Sequence, residues 1–229
     1  MQDGNVFVHR YSPEHQELVT HTYSIPIRKR DTVLQTLLHI YENCDSTLAF
    51  RYGCRCSKCG ECAVDVDGRP CLACLTHARD GMKISPLKNL PPIRDLIVDR
   101  SVIDQRISSQ HLYVYPEVEQ ALNVMPVPRT YKRLIGCLEC YGCVSSCPHF
   151  DWRDEQLAGP YVFVRLAQLH LDPRDKKDRR AQAISLGITR CSNCSQCRCV
   201  KGIAIRRDAI GTLLGEKGVE EQDLGGAQD

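Results

Sequence analysis

CLECYGCVSSCP, residues 137–148, contains four cysteines at the spacing C-x2-C-x2-C-x3-C-P. This spacing binds cubane iron-sulfur clusters, and where a protein holds two of them the fourth cysteine ligates the other cluster. Cys147 therefore predicts a second cysteine group, which the sequence supplies as CSNCSQCRC at residues 191–199. A structural zinc site is the alternative, because paired C-x2-C units also bind zinc. A third evenly spaced cysteine followed by C-P has no role at a four-thiolate zinc site, so the pattern favours iron-sulfur clusters.

A third cysteine group lies nearer the amino terminus, as GCRCSKCGEC at residues 53–62 and CLAC at residues 71–74. Its spacing, C-x4-C-x2-C with a distant fourth cysteine, is typical of plant-type [2Fe-2S] centres. Spacing alone permits either Cys74 or Cys71 as the fourth ligand, and we favour Cys74. Gly60 allows the loop to turn its amides towards sulfur. The predicted [2Fe-2S] ligands are Cys54, Cys59, Cys62 and Cys74, which leaves Cys44, Cys56 and Cys71 without an assigned role.

Composition narrows the class of protein. Fifteen cysteines among 229 residues is an odd number, and the first residues, MQDGNVFVHR, lack the order of a secretory signal. Both observations favour a reducing compartment, where clustered cysteines indicate metal more often than disulfides. A net charge of +2 gives no electrostatic reason to expect a nucleic-acid partner. No apolar run reaches the roughly 18 to 20 residues of a membrane span, so we expect membrane contact only through a partner.

The first part of the chain alternates between strand and helix patterns. Residues 6–8 and 23–27 predict two strands of a hairpin, and residues 32–43 predict an amphipathic helix capped by Asp31. Residues 64–66 alternate apolar and acidic side chains before Asp67-Gly68, a hairpin-turn dipeptide. These elements predict a small α+β domain of the β-grasp, plant-type ferredoxin kind.

The second part predicts helices with cysteine loops between them. The helical segments are expected at residues 96–107, 117–123, 160–170, 180–186 and 203–214. Prolines at residues 86, 91 and 92 mark the exit from the first domain. The expected domains are therefore 1–92 with the [2Fe-2S] cluster, 93–214 as an all-α domain with two cubane-type clusters, which the family resemblance described next implies is a helical ferredoxin domain, and 215–229 as a disordered tail.

Several motifs resemble the iron-sulfur subunit of the succinate dehydrogenase and fumarate reductase family. DSTLAFRYGC at residues 45–54 is similar to the family's DSTLTFRRSC. GPYVFVRLAQLHLDPRD at residues 159–175 is similar to GPAVLMQAYRWMIDSRD, and VKGI after Cys199 is similar to PKGL. The resemblance implies a [2Fe-2S] domain followed by an α-helical ferredoxin domain. It also implies docking between a flavoprotein that carries FAD and a membrane anchor that handles quinone.

The resemblance also implies which of the remaining cysteines ligate which cluster. It assigns Cys137, Cys140, Cys143 and Cys199 to a first [4Fe-4S] cluster. The family's usual second group reads C-x5-C-x3-C-P and holds a [3Fe-4S] cluster with the equivalent of Cys147. Here Cys194 falls on a position that is normally apolar, so Cys147, Cys191, Cys194 and Cys197 supply four thiolates and predict a second [4Fe-4S] cluster. A bystander role for Cys194, which would leave a [3Fe-4S] cluster, and an exchange of Cys197 with Cys199 are the alternatives.

The quinone site is matched only in part. In the family a proline and a tryptophan after the Cys147 position contribute to the quinone pocket, and Pro148 and Trp152 fall on those places. The family's histidine after the Cys191 position is replaced by Ser192. An ordinary core or interface role is the alternative for Trp152, because tryptophan is highly buried on average.

No nucleophile, acid-base pair or phosphate loop appears alongside the cysteine groups, so we expect no bond chemistry within the chain. We expect an electron-transfer subunit that relays single electrons between the FAD of a flavoprotein subunit and a membrane quinone, peripheral on the cytoplasmic side. The same module serving a thiol- or disulfide-linked fumarate reductase is one alternative. An iron-sulfur redox sensor is another, although no DNA-binding or regulatory segment is visible.

Overall fold

A computed structural model describes residues 3–116 and 126–216. The chain forms two compact units, Met1–Arg100 with Leu138–Ser146, and Ser101–Cys137 with Cys147–Asp229. The expected helix at 117–123 and nearly all of the expected tail lie outside the described residues, and the domain limits at 92 and 214 stay predictions.

The strands are β1 (Asp3–Ser12), β2 (Glu17–Pro26), β3 (Ala63–Val66), β4 (Arg69–Leu72), β5 (Lys83–Ser85), β6 (Pro92–Arg94) and β7 (Ile97–Val98). The α-helices are α1 (Val33–Asn43), α2 (Ser101–Ser109), α3 (Arg129–Leu134), α4 (Gly142–Ser145), α5 (Pro160–His170), α6 (Arg179–Ser185) and α7 (Thr212–Leu214).

A five-stranded sheet organises the first unit, with strand order β2-β1-β5-β3-β4. The predicted hairpin is confirmed as β1 and β2, which pair antiparallel, whereas β1 and β5 pair in parallel. Burial alternates along β1, and Val6 and Val8 are fully buried on the face that lines the core. The second predicted hairpin is confirmed as β3 and β4, with Asp67 and Gly68 at positive φ in the turn.

The predicted first helix is confirmed as α1, but its cap is Thr32 and the prediction of Asp31 was wrong. Thr32 Oγ1 accepts from the Gln35 amide at 3.2 Å, and Gln35 Oε1 accepts from the Thr32 amide at 2.8 Å. This reciprocal pair is a capping box. Asp31 instead accepts from the Arg28 amide at 2.8 Å, in the turn that precedes the helix.

The predicted helix over residues 96–107 is wrong in its first five residues. Ile97–Val98 is a strand paired with Pro92–Arg94, and α2 begins only at Ser101. Asp95 stands between the strands at φ 51°, and its carboxylate accepts from the buried Arg10 side chain at 2.8 Å and from the Ala49 amide at 2.7 Å. These tertiary bonds hold the chain in a turn where local periodicity favours a helix.

Within the first unit, the segment Leu138–Ser146 carries α4, a single helical turn that no sequence pattern indicated. Tyr141 caps it in the left-handed conformation at φ 61°. The Ser145 hydroxyl accepts from the Lys88 amide at 2.9 Å, and the Asn89 side chain donates to the Val144 carbonyl at 3.1 Å. These bonds tie the middle of the cysteine run to the loop after β5.

The second unit is built from helices around α5. The predicted helix at 160–170 is confirmed as α5, with Pro160 as its first residue and nine of its side chains buried. The helix predicted at 180–186 is confirmed within one residue as α6. The helix predicted at 203–214 starts later and contains a wide π-helical turn, Arg206–Gly211, that leads into α7. Ile188–Cys191 forms a 3-10 turn. Neither 3–116 nor 126–216 contains a helix with the length and hydropathy that crossing a bilayer requires.

Candidate iron-sulfur sites

The loop after Phe50 surrounds the Cys54 sulfur with backbone amides. The amides of Lys58, Cys59 and Cys56 donate to Cys54 Sγ at 3.2, 3.3 and 3.5 Å. Arg55 and Ser57 adopt left-handed backbone at φ 58° and 56°, which turns these amides inward. The hydrogen bonds from the Cys56 and Lys58 amides lower the pKa of Cys54 to about 6. The loop therefore favours the thiolate, which is the form that ligates a metal.

Cys62 and Cys74 lie together and are buried, with Cys62 4% and Cys74 9% exposed. Burial raises the pKa of Cys62 to about 12, and the neighbouring Cys74 and Cys59 thiols add to the shift. Thiols so placed suit a metal centre, because a bound cation compensates a buried thiolate charge. The loop thus gathers thiols and amides in a manner that fits a plant-type cluster.

Cys71 lies in different surroundings. It sits on β4 opposite Val64, and burial raises its pKa to about 11, while a hydrogen bond with Thr76 lowers the pKa and the charges of Asp65 and Asp67 raise it further. A nearby carboxylate disfavours a second negative charge, so Cys71 is poorly placed to be a thiolate ligand.

Exchanging each of these two thiols for a hydroxyl separates the candidates for the fourth ligand. We expect Cys74→Ser to abolish or strongly weaken the [2Fe-2S] signal in the electron paramagnetic resonance (EPR) spectrum of dithionite-reduced protein. Cys71→Ser is expected to keep the signal at full intensity and is the matched control. A signal lost in Cys71→Ser and kept in Cys74→Ser would reverse the assignment.

Gly60 allows the first cysteine loop, residues 53–62, to contact the middle of the cysteine segment 137–148. Its φ is 72°, and a Cβ built there would lie 2.5 Å from the Leu138 carbonyl oxygen and 3.0 Å from the Cys140 Cβ. Leu138 and Cys140 belong to the first unit. Only glycine permits this close approach of the two ligand-bearing segments.

The second unit gathers four of the predicted thiols. Burial raises the pKa of Cys191 to about 11 and that of Cys197 to about 12, and charge on the neighbouring Cys147 raises both further. Burial also raises the pKa of Cys147, and charge on Cys194 adds to the raised pKa values of Cys147, Cys191 and Cys197. The backbone amides of the two residues after Pro148 hydrogen-bond the Cys147 sulfur. Four thiols, two of them almost fully buried, thus share one region, and this donor set fits a thiolate-ligated cluster.

Arg206 borders this region. Its Nη2 donates to the Ser192 carbonyl at 2.6 Å, and its guanidinium pairs with Glu216 at 2.6 and 2.8 Å. Ser192 itself donates through its hydroxyl to the Thr189 carbonyl at 2.8 Å. The cation opposes the burial-driven rise in the pKa of Cys191. Sequence reasoning missed Arg206, because nothing in the spacing of the cysteines indicates it.

The remaining predicted ligands are divided between the units. Cys140 and Cys143 are buried in the first unit, whereas Cys137 and Cys199 belong to the second. The Cys137 amide donates to the Leu134 carbonyl at 3.1 Å, and Cys199 Sγ accepts from the Lys201 amide at 3.4 Å. Among the described residues, no set of three or more His, Cys, Asp or Glu side chains is arranged to bind a single metal ion.

The loop with the predicted quinone residues is held by Arg106 of α2. Its guanidinium donates to four carbonyl oxygens of this loop, at 2.7 Å to Leu157, 2.8 Å to Asp154, 3.1 Å to Trp152 and 3.2 Å to Asp151. Pro148 is exposed and Trp152 is half-buried, with the Arg153 guanidinium 4.7 Å from its ring centre. Arg106 thus fixes the backbone around Trp152, and no sequence motif pointed to it.

Comparison with known protein families agrees with this geometry. Residues 5–105 match a 2Fe-2S iron-sulfur cluster binding domain, and residues 136–204 match a 4Fe-4S dicluster domain. The fumarate reductase iron-sulfur subunit of Haemophilus influenzae is 32% identical over 211 residues, with 83% of this chain and 82% of that protein covered. The chain belongs to the fumarate reductase and succinate dehydrogenase iron-sulfur subunit family.

Three further relatives are longer than this chain. A subunit of the fumarate reductase (CoM/CoB) of Methanothermobacter marburgensis is 36% identical over 213 residues, which is 91% of this chain and 43% of that protein. The chain spans about two fifths of the length of this relative and of two further archaeal iron-sulfur proteins. A chain of the Mycobacterium smegmatis Sdh1 complex in the apo form is similar in fold, with a TM-score of 0.82, 24% identity, and 98% and 99% of the two chains covered.

Proposed function

We propose that this chain is the electron-transfer subunit of a succinate dehydrogenase or fumarate reductase complex. The observation that carries the proposal is the gathering of Cys147 with the cysteines of the 191–197 segment in one unit, which interleaves the two cysteine groups as a two-cluster protein requires. The order of the sheet, with parallel β1 and β5, supports a β-grasp [2Fe-2S] domain. The helices around α5 support an all-α ferredoxin domain after it.

The proposed relay has three centres. Cys54, Cys59, Cys62 and Cys74 would hold [2Fe-2S]; Cys137, Cys140, Cys143 and Cys199 a first [4Fe-4S]; and Cys147, Cys191, Cys194 and Cys197 a second [4Fe-4S]. The distinct surroundings of Cys71 support Cys74 as a ligand. Charge on Cys147 contributes to the raised pKa of the buried Cys197, and this proximity supports Cys197 in the second set in preference to Cys199. The alternative for the last set is a [3Fe-4S] cluster on three cysteines.

Such clusters accept and release one electron at a time. The chain itself orients their ligands and sets the charge around them. Three amides stabilise the Cys54 thiolate, and hydrogen bonds to cluster sulfurs raise the reduction potential. Gly60 keeps the first cysteine loop in contact with Cys140, one ligand of the proposed first [4Fe-4S] cluster. No acid-base or nucleophilic role is proposed for any residue.

The proposed partners are a flavoprotein subunit with FAD and a membrane anchor, with the chain peripheral on the cytoplasmic side. Membership of the family supports both partners. The loop that Arg106 holds, with Pro148 and Trp152, is the proposed quinone contact, and the exposure of Pro148 supports that role. The similarity to a fumarate reductase named for CoM and CoB supports a second candidate, in which a thiol or disulfide couple replaces quinone.

Anaerobic purification with the native partners tests the proposal. We expect about ten irons per polypeptide, as two, four and four require, with matching acid-labile sulfide, and a copurifying flavoprotein. A flavoprotein together with an anchor supports the quinone-linked complex, and a flavoprotein with a thiol-dependent activity supports the second candidate. Stoichiometric zinc without sulfide, or an isolated chain of redox-sensor type, would contradict both.

A further inference from the structure

Arg100 joins the two cysteine-bearing segments of the first unit. Its Nη1 donates to the Glu61 carboxylate at 3.1 Å, and its Nη2 to the Glu61 carbonyl at 3.2 Å and the Gly60 carbonyl at 3.5 Å. Its guanidinium carbon lies 5.7 Å from the centre of the Tyr141 ring. Glu61 stands between Cys59 and Cys62, and Tyr141 between Cys140 and Cys143. One side chain thus contacts a neighbour of cluster ligands on each segment.

The charge of Arg100 is held where solvent screens it weakly. The side chain is only 12% exposed, and its Nε is buried without an acceptor among the described residues. Glu61, its ionic partner, is 42% exposed and is therefore the better-screened charge of the pair. A fixed cation in a poorly solvated position acts strongly on neighbouring charge.

The contact of Arg100 with Tyr141 also affects the backbone conformation of Tyr141. Tyr141 is buried and adopts left-handed backbone, which is uncommon for a bulky residue. A guanidinium over the ring is attractive to it, so Arg100 helps to hold Tyr141 in this conformation. Tyr141 is the N-cap of α4, so its conformation sets the direction in which the helical turn that carries Cys143 begins.

We propose that Arg100 is a positioning residue that fixes the [2Fe-2S] loop to the Cys140 segment and raises the reduction potential of the [2Fe-2S] cluster by its charge. Reduction adds a negative charge to a cluster, and a nearby cation stabilises the reduced form. Glu61 acts in the opposite sense. The inference rests on the proposed function, because it needs the cluster that the first cysteine loop is proposed to hold.

The effect of the Arg100 charge on the reduction potential is tested by redox titration of the isolated complex, monitored through the EPR signal of the reduced [2Fe-2S] cluster. We expect Arg100→Gln to lower the equilibrium constant of reduction about tenfold, a shift of about 59 mV for one electron. Glu61→Gln is expected to shift the potential upward. Arg100→Lys, which keeps the charge, is expected to stay close to the unaltered protein. Arg79→Gln is the matched control, because it removes an exposed cation that pairs with Asp67, and no shift is expected.

Opposite shifts in Arg100→Gln and Glu61→Gln distinguish a charge effect from loosened structure, which would move both potentials the same way. An unchanged potential in Arg100→Gln, or equal signs in the two variants, overturns the inference. If Arg100→Gln does not fold, the Glu61→Gln and Arg100→Lys variants decide the inference. An upward shift of the potential in Glu61→Gln with little change in Arg100→Lys supports the inference. An unchanged potential in Glu61→Gln overturns it. A [2Fe-2S] signal absent from the unaltered protein would instead refute the proposed function.

Discussion

Replacing Gly60 by alanine is expected to destabilise the first unit by about 2 to 4 kcal/mol and to reduce its iron content. The substitution costs free energy twice. Alanine is strained at a φ of 72°, and its Cβ would come within 2.5 Å of the Leu138 carbonyl oxygen, a backbone atom that moves only with its segment. Urea unfolding followed by circular dichroism, with iron analysis of the same samples, measures both effects.

Gly81→Ala is the matched control for this substitution. Gly81 has nearly the same backbone angle, φ 74°, but a Cβ there would meet no atom within 4 Å. We expect it to cost only the backbone strain, about 1 kcal/mol, and to leave the iron content unchanged. Equal losses of stability in the two variants would show that the approach of Leu138 and Cys140 to Gly60 contributes nothing.

Replacing Cys194 by alanine is expected to convert the third centre from four irons to three. The total would fall from about ten to about nine irons per polypeptide, and a three-iron EPR signal would appear in the oxidised sample. Burial is the main reason why the pKa values of Cys147, Cys191 and Cys197 are raised, and charge on Cys194 adds to each shift, which places Cys194 beside all three thiols as a fourth ligand of one cluster would lie. The lost ligand leaves one corner of the cubane unheld.

Cys44→Ala is the control for the loss of a thiol. Cys44 is exposed at the end of α1, and its replacement is expected to change neither the iron content nor the spectrum. A three-iron signal already present in the unaltered oxidised protein would make Cys194 a bystander. The same conclusion would follow from an unchanged spectrum in Cys194→Ala.

The sequence was informative where local chemistry decides the structure. Cysteine spacing indicated the cluster loops, Asp67-Gly68 the hairpin turn, and Pro160 the start of α5, because each depends on residues close together in the chain. The strand at residues 97–98 was mistaken for helix, because long-range bonds from Arg10 and Ala49 to Asp95 decide the backbone there.

The arginines around the cysteine loops could not be predicted, for a related reason. Arg100, Arg106 and Arg206 each act on residues far away in sequence, and an arginine has no spacing rule that reveals its acceptors. Arg106 reaches carbonyls 45 to 51 positions away. Only the folded chain brings such side chains to the loops that they hold.

The membership of Leu138–Ser146 in the first unit has a consequence for how the protein is made. A ribosome that has released residues 1–100 has produced every strand of that unit but not the segment that covers Gly60. Domains generally fold as units during synthesis, but the contacts of Gly60 with Leu138 and Cys140 can form only after those two residues have emerged. Iron and sulfide can therefore reach the first cysteine loop in a nascent chain before the segment Leu138–Ser146 has been synthesised.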